Sequence, residues 1–152
     1  MTRHFAVVGS GSIGIGWAIV FARAGNTVKV YDLEQSRLDI FTQGVNERLQ
    51  VLQEEGLLNE GADIVCSRIS TSLDLAESLE GAEYIQECAP EQLEIKKALF
   101  ATLEALASNS AIIASSSSAL KISSFTSDLS TRTRCLVVHP GNPPYLLPVV
   151  EV

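Results

Sequence analysis

Apolar residues along this chain follow two rhythms. Short, nearly continuous runs occur at residues 4–8 (HFAVV), 27–31 (TVKVY), 64–71 (IVCSRIST), within AEYIQE after Gly81, and at 111–115 (AIIAS) and 134–139 (RCLVVH). Such runs predict strands, the first of them buried on both faces. Between them, apolar positions recur every third or fourth residue. Residues 12–24 form one such segment, closed by Gly25, a usual helix stop. Residues 34–55 place Leu38, Phe41, Val45, Leu49 and Leu52 on one helical face, and residues 92–107 do the same with Leu93, the stem of Lys96, Phe100, Leu103 and Ala107. A short helix is expected at 73–79, and the run SSSSALKISSF reads as a polar turn into another. GNPPYLLP is a Pro-rich loop, and VVEV at the end is extended. Strands alternating with helices throughout predict an α/β fold, a doubly wound, mostly parallel sheet with helices on both faces.

Composition narrows the function classes. At 152 residues the chain suits one domain, and 46% hydrophobic against 19% charged residues can bury a core. A net charge of −7 argues against nucleic acid, which requires a basic face. No apolar run is long enough to span a membrane, and the N-terminal MTRHFAVVGSGS ends in glycines rather than a signal-peptide cleavage site. Cys66, Cys88 and Cys135 are widely spaced and form no C-x-x-C pair. They read as free thiols in a reducing cytoplasm, with no metal site.

The first strand runs into Gly9, Gly11 and Gly14, a G-x-G-x-x-G motif between a predicted strand and a predicted helix. In a Rossmann-type fold the first glycine permits the tight turn, the second lets backbone approach a pyrophosphate, and the third lets the helix pack close to the strand. The loop Gly9-Ser10-Gly11-Ser12-Ile13-Gly14 would then offer helix N-terminal N–H groups to phosphates. Asp32 lies 18 residues after Gly14, at the end of the second strand. A carboxylate there accepts from a ribose 2′-OH and repels a 2′-phosphate, which favours NAD over NADP. Gly16 is additional and reads as a close packing site.

A dinucleotide fold only holds a cofactor, so chemistry must come from the carboxyl ends of the strands. His139 stands where CLVV meets a Pro-Gly loop, and an imidazole suits proton exchange near neutral pH. A reversed final strand could bring Glu151 beside it and fix its tautomer. A strand-end imidazole bonded to backbone is the equally simple alternative. His4 precedes the first strand, at the wrong end of the sheet, and reads as structural. Ser115 to Ser118 could cap the following helix, the simpler reading, or present one hydroxyl to a substrate.

Four segments, VVGSGSIGIGWA, QECAPEQLEIKKALF, ASSSSALKI and HPGNPPYLLPVVEV, together resemble the NAD-binding domain of the L-3-hydroxyacyl-CoA dehydrogenase family. Their wording is similar to its lambda-crystallin and L-gulonate 3-dehydrogenase branch, with L-carnitine dehydrogenases a further neighbour. The resemblance covers essentially the whole chain. It implies that His139 is the catalytic base, Glu151 its carboxylate partner, and Ser118 the active-site serine near substrate hydroxyl and nicotinamide. It also implies that Glu91 and Lys96 line the cofactor pocket and that Asn142 lies near nicotinamide and substrate. The implied reaction oxidises a secondary alcohol by hydride transfer to NAD. Family members continue into a helical domain that closes the cleft and helps form a dimer. Residues 1–152 are therefore expected to be an NAD-binding domain truncated before that part, inactive alone, and homodimeric in the longer protein.

The expected partner is a small hydroxy acid or a hydroxyacyl-CoA. Acyl-CoA members use basic residues on and after the second helix, whereas Glu47, Glu54, Glu55 and Glu60 here face only Arg48. Such a surface should repel a multiply phosphorylated ligand, although an acidic helix end is also ordinary on a solvated face. Gly141 replaces an aromatic residue usual in acyl-CoA members. Both departures favour a free hydroxy acid. A non-catalytic, structural NAD-binding protein of the lambda-crystallin type is the alternative function.

Overall fold

The first strand, HFAVV, is apolar on both faces because both are covered. In the computed structural model, which describes residues 2–152, the elements are β1 (His4–Val8), α1 (Ser12–Arg23), β2 (Thr27–Tyr31), α2 (Gln35–Glu54), α3 (Ala62–Cys66), β3 (Ile69–Ser72), α4 (Leu75–Leu79), β4 (Tyr84–Glu87), α5 (Leu93–Leu106), β5 (Ile112–Ser115), α6 (Ser123–Thr126), β6 (Cys135–Val137), β7 (His139–Pro140) and β8 (Val150–Glu151). Six parallel strands form one sheet in the order β3-β2-β1-β4-β5-β6. This is the Rossmann order, with its switch point between β1 and β4. Period-two alternation divides the core. Val7, Val28 and Val30 pack with α1, α2 and α3 on one face, while Ala6, Val8, Ile85 and Ile113 pack with α4, α5 and α6 on the other.

Register aligns the carboxyl ends. Val8 is level with Tyr31 and Glu87, Glu87 with Ser115, and Ser115 with Val137. The residue after each, Gly9, Asp32, Cys88, Ser116 or Val138, therefore emerges in a single row. Backbone bonds extend the ladder into that row, from Gly9 N–H to Tyr31 O (2.9 Å), Cys88 N–H to Val8 O (2.7 Å), Ser116 N–H to Glu87 O (2.8 Å) and Val138 N–H to Ser115 O (2.8 Å).

Two segments depart from the sequence reading. The strand expected over 64–71 divides into α3 and β3, and pairing with β2 begins only at Ile69 opposite Val28. Ile64 and Val65 have strand propensity, but Val65 is fully buried as the inward residue of a helical turn against the α1–α2 core. A short β-branched run cannot distinguish these outcomes by periodicity. His139, expected to end the sixth strand, instead starts β7. β5 stops at Ser115 and offers no partner beyond Val138, so the chain leaves the sheet and pairs antiparallel with β8.

Candidate functional site

The glycine-rich loop is fixed by close contacts. Gly9 has φ +110°, a left-handed conformation that disfavours a side chain, and a Cβ there would lie 2.7 Å from Cys88 O. A Cβ on Gly14 would lie 2.1 Å from Gly9 O, so helix and loop touch backbone to backbone. Gly11, in contrast, faces open space, leaving its backbone approachable. No side chain caps α1, and its first turn has no acidic residue. Its leading N–H groups therefore remain available to an anion. Ser12 is exposed at the helix start, and Ile13 packs against the core. Gly16 is a packing position: a Cβ there would meet Pro144 Cδ at 2.6 Å.

A cleft of about 670 Å³ opens beside this loop, a volume suited to a small ligand. Its polar end is made by Ser10, Asp32 and Arg37, and its apolar wall by Leu33, Ile95 and Leu99. Asp32 is buried at the junction. One carboxylate oxygen accepts from the Ser10 amide (2.9 Å) and hydroxyl (2.6 Å), and the other from the Leu33 amide (2.8 Å). Burial alone would raise its pKa. The Ser10 and Leu33 hydrogen bonds and the nearby Arg37 guanidinium outweigh that, holding the carboxyl below its ordinary range. The donor set, open Gly11 face, uncapped helix and charged carboxylate fit a dinucleotide with a free 2′-OH.

The serine run separates into distinct tasks. The Ser115 hydroxyl donates to buried Glu87 (2.5 Å), whose two oxygens also receive Lys96 Nζ (2.8 and 2.9 Å). The Ser117 hydroxyl donates to Glu91 (2.5 Å), and Glu91 also accepts the Ala119 and Leu120 amides (3.0 and 3.2 Å). Lys96 Nζ lies 3.6 Å from Glu91, tying both acids together beneath the loop. The Ser116 hydroxyl meets Trp17, Gln86 and Cys88. Only Ser118 is exposed, and among the described residues its hydroxyl has no hydrogen-bond partner. Lys96, read from the sequence as burying its stem, buries its ammonium as well, at 1% exposure. A lysine in an apolar helical stripe with a glutamate closing the preceding strand was the signal for this pair, and Glu87 was not singled out by sequence reasoning. Glu91 and Lys96 lie outside the lining of the cleft. As placed, they anchor the loop that carries Ser118.

The β7–β8 ladder sets His139 opposite Glu151. Nδ1 of the imidazole lies 3.1 Å from a Glu151 carboxylate oxygen. A proton on Nδ1 donates to that carboxylate and leaves the Nε2 lone pair directed elsewhere, the state that can accept a proton. Both side chains are accessible, Glu151 far more so at 82%. The intervening loop is tied to α1 by Pro144 against Gly16 and by Arg23 donating to Tyr145 O (2.9 Å). Asn142 is exposed in that loop, preceding a cis proline. Neither it nor Ser118 hydrogen-bonds His139 or Glu151. His4 bonds Thr27 Oγ1 (3.1 Å) at the opposite sheet end. Among the described residues no cluster of acids, histidines and cysteines could hold a metal ion, and no helix is long and apolar enough to cross a membrane.

Residues 4–152 match the family model described as 3-hydroxyacyl-CoA dehydrogenase, NAD binding domain. A lambda-crystallin homolog of Rattus norvegicus is 42% identical over 148 residues, covering 96% of this chain and 46% of the relative. An L-carnitine dehydrogenase of a Pseudomonas species is 39% identical over 150 residues, covering 99% and 46%. The crystal structure of 3-hydroxybutyryl-CoA dehydrogenase from Escherichia coli superimposes with a TM-score of 0.93 at 30% identity, covering 99% of this chain and 32% of that one. The chain thus spans about half the length of the curated relatives it matches.

Proposed function

Because the chain belongs to the 3-hydroxyacyl-CoA dehydrogenase family, as its NAD-binding domain, we propose that it serves the oxidation of a secondary alcohol on a 3-hydroxy acid to the ketone. The observation that carries this reading is the His139–Glu151 pair at the carboxyl edge of the sheet. Bound NAD⁺ supplies the hydride acceptor. Gly9, Gly11 and the first turn of α1 hold its phosphates, and Asp32 accepts from its adenosine ribose. His139 Nε2 takes the hydroxyl proton as the carbonyl forms, and Glu151 stabilises the resulting imidazolium through Nδ1. The unengaged Ser118 hydroxyl donates to the substrate oxygen, and Asn142 borders the same space. The relatives' greater length supports a further proposal. This segment alone binds NAD but turns over little, the rest of the substrate enclosure and any dimer contact coming from outside residues 1–152.

A free hydroxy acid is favoured over a CoA thioester. Glu47, Glu54 and Glu55 are exposed on and just after α2, while Arg48, the one cation among them, is half-buried and donates to Gly44 O (2.9 Å). Glu60 is the exception, paired with Arg68. Space at Gly141 is also restricted, since a Cβ would meet Leu147 Cβ at 3.2 Å. A structural, non-catalytic role is the second reading, favoured by the likeness to lambda-crystallin homologs. The exposed histidine–carboxylate pair favours the enzyme.

Two measurements test the proposal. NADH fluorescence titration of this chain should show binding at least about tenfold tighter than NADPH, a difference of about 1.4 kcal/mol. Equal affinities would overturn the role of Asp32. A protein carrying this domain with its continuation should oxidise gulonate- or carnitine-like acids in preference to 3-hydroxybutyryl-CoA and lose turnover in His139→Ala. Undiminished turnover in that variant would overturn the assignment of the base.

A further inference from the structure

We propose that Gln86 and Ser116 are positioning residues, forming a part-buried junction that fixes the peptide before His139 against the helix following the glycine-rich loop. The proposal rests on the reading of His139 as the proton acceptor. Gln86 is fully buried within β4, where an unpartnered amide would be strongly unfavourable. Its Oε1 accepts the Tyr84 hydroxyl (2.7 Å), while Nε2 donates to Ser116 Oγ (2.8 Å) and, in a longer bond, to Val138 O (3.4 Å). Turning the amide over would set its oxygen against the Val138 carbonyl, acceptor against acceptor, so the partners fix its orientation.

Ser116 has a fixed polarity too. The indole N–H of Trp17 donates to Ser116 Oγ at 3.1 Å, and Gln86 supplies a second donor. Both lone pairs of the hydroxyl are then filled, and its own proton has one acceptor left, Cys88 Sγ at 3.3 Å. Burial pushes the Cys88 thiol up to about 12, so its sulfur stays protonated and accepts without charge. The Cys88 S–H in turn faces Gln86 O at 3.9 Å. Among the junction's own groups, each proton therefore has a single direction.

The junction touches the segments that carry the glycine-rich loop, Ser118 and His139. Trp17 lies in the second turn of α1 and stacks on Phe21 with ring centroids 5.2 Å apart. Ser116 precedes Ser118 by two residues, and the Cys88 carbonyl abuts Gly9. The Val138 carbonyl belongs to the same peptide group as the His139 N–H. An apolar filling of this space could be as stable, because replacing both hydrogen-bond partners together is nearly neutral. What the polar version adds is one geometry among four elements.

Trp17 is the chain's only tryptophan, so a ¹H–¹⁵N spectrum of this 152-residue chain contains one indole resonance. In Ser116→Ala that resonance should move upfield as its acceptor disappears, and the backbone amide of His139 should shift with it through Gln86. Ser116→Thr, which keeps the hydroxyl, should restore both. Trp17→Phe retains the stacked ring and removes only the N–H, and should shift the His139 amide from the other end. An unmoved His139 amide in both Ser116→Ala and Trp17→Phe overturns the junction, as does a shift that threonine fails to rescue. These resonances are independent of turnover, so failure of the junction is distinguishable from failure of the alcohol-oxidation reading.

Discussion

The two halves of the candidate site are built in opposite ways. The cofactor half and the serine loop behind it rest on tightly packed groups: Gly9 against Cys88, Gly14 against Gly9, Asp32 held by three donors, and Glu87 with Lys96 sealed at 0% and 1% exposure. The half bearing His139 rests on two residues of β7 and two of β8, with Leu146, Leu147, Val149 and Val150 exposed around it. Geometry is therefore over-determined where the dinucleotide would bind and held by few contacts where the alcohol would react. Stability measurements should expose this asymmetry.

The largest loss is expected at Lys96. Replacing it with methionine leaves the Glu87 carboxylate buried without its cation, a change of about 3–5 kcal/mol. At this chain length that corresponds to a melting temperature lowered by roughly 6–20 °C. Glu87→Gln combined with Lys96→Met should recover much of it, because no charge then remains buried. A single-variant loss below about 1 kcal/mol would show that the pair does not anchor the serine loop. Gly14→Ala comes next. Its Cβ must displace the Gly9 carbonyl from 2.1 Å, an overpacking effect of about 1–3 kcal/mol. NADH binding should fall together with stability, since the displaced atoms form the cradle. Wild-type NADH affinity in this variant would detach the motif from the cofactor.

How far these features were legible in the sequence follows the same divide. Local backbone chemistry is written in short strings, so GSGSIG with Asp32 marked the loop and the edge of its cleft. The two rhythms of apolar residues gave the alternation of strands and helices that the six-stranded sheet displays. His139 and Glu151 were identified as a possible pair, and the antiparallel register brings them together. Tertiary pairings were not legible. Glu87 looked like the last residue of a strand, and Lys96 like a snorkelling member of a helical stripe. Ser115 to Ser117 looked alike until different partners separated them. The division of residues 64–71 into helix and strand depended on where pairing with β2 begins, a fact about a distant segment.

A smaller effect belongs to Asp32. Its carboxyl is held below the ordinary range in the folded chain, whereas the unfolded value is near ~3.9. The folded state thus binds its proton less readily than the unfolded chain. The stabilisation is fully present above pH ~4 and is lost as pH falls through the folded value. Glu60, Glu77, Glu91 and Glu104 are depressed too, so the acid limb of the wild-type curve cannot isolate one group. The difference between wild type and Asp32→Asn can. In denaturant titrations it should be about 1 kcal/mol at neutral pH, shrinking below pH ~4. A difference constant down to the acid end would mean that the Ser10 contacts do not depend on the charge.

The smallest effect on stability is expected at Glu151, and there the comparison is sharpest. Its side chain is 82% exposed and faces His139 at 3.1 Å. Exposed ion pairs contribute little, so Glu151→Ala should change unfolding free energy by less than about 0.5 kcal/mol. NADH affinity of the chain should be unchanged within error, because no atom of Glu151 enters the cofactor cleft. In a protein that carries this domain with its continuation, the same substitution should still lower kcat by roughly 10²-fold or more, the scale of general acid–base catalysis. It would leave His139 without the carboxylate that fixes Nδ1–H and stabilises the imidazolium. A carboxylate that the fold does not need but turnover does would be explained only by chemistry at His139. If Glu151→Ala proved neutral for both, the exposed ladder would be a surface feature, and the proton acceptor would have to be sought elsewhere on the carboxyl edge.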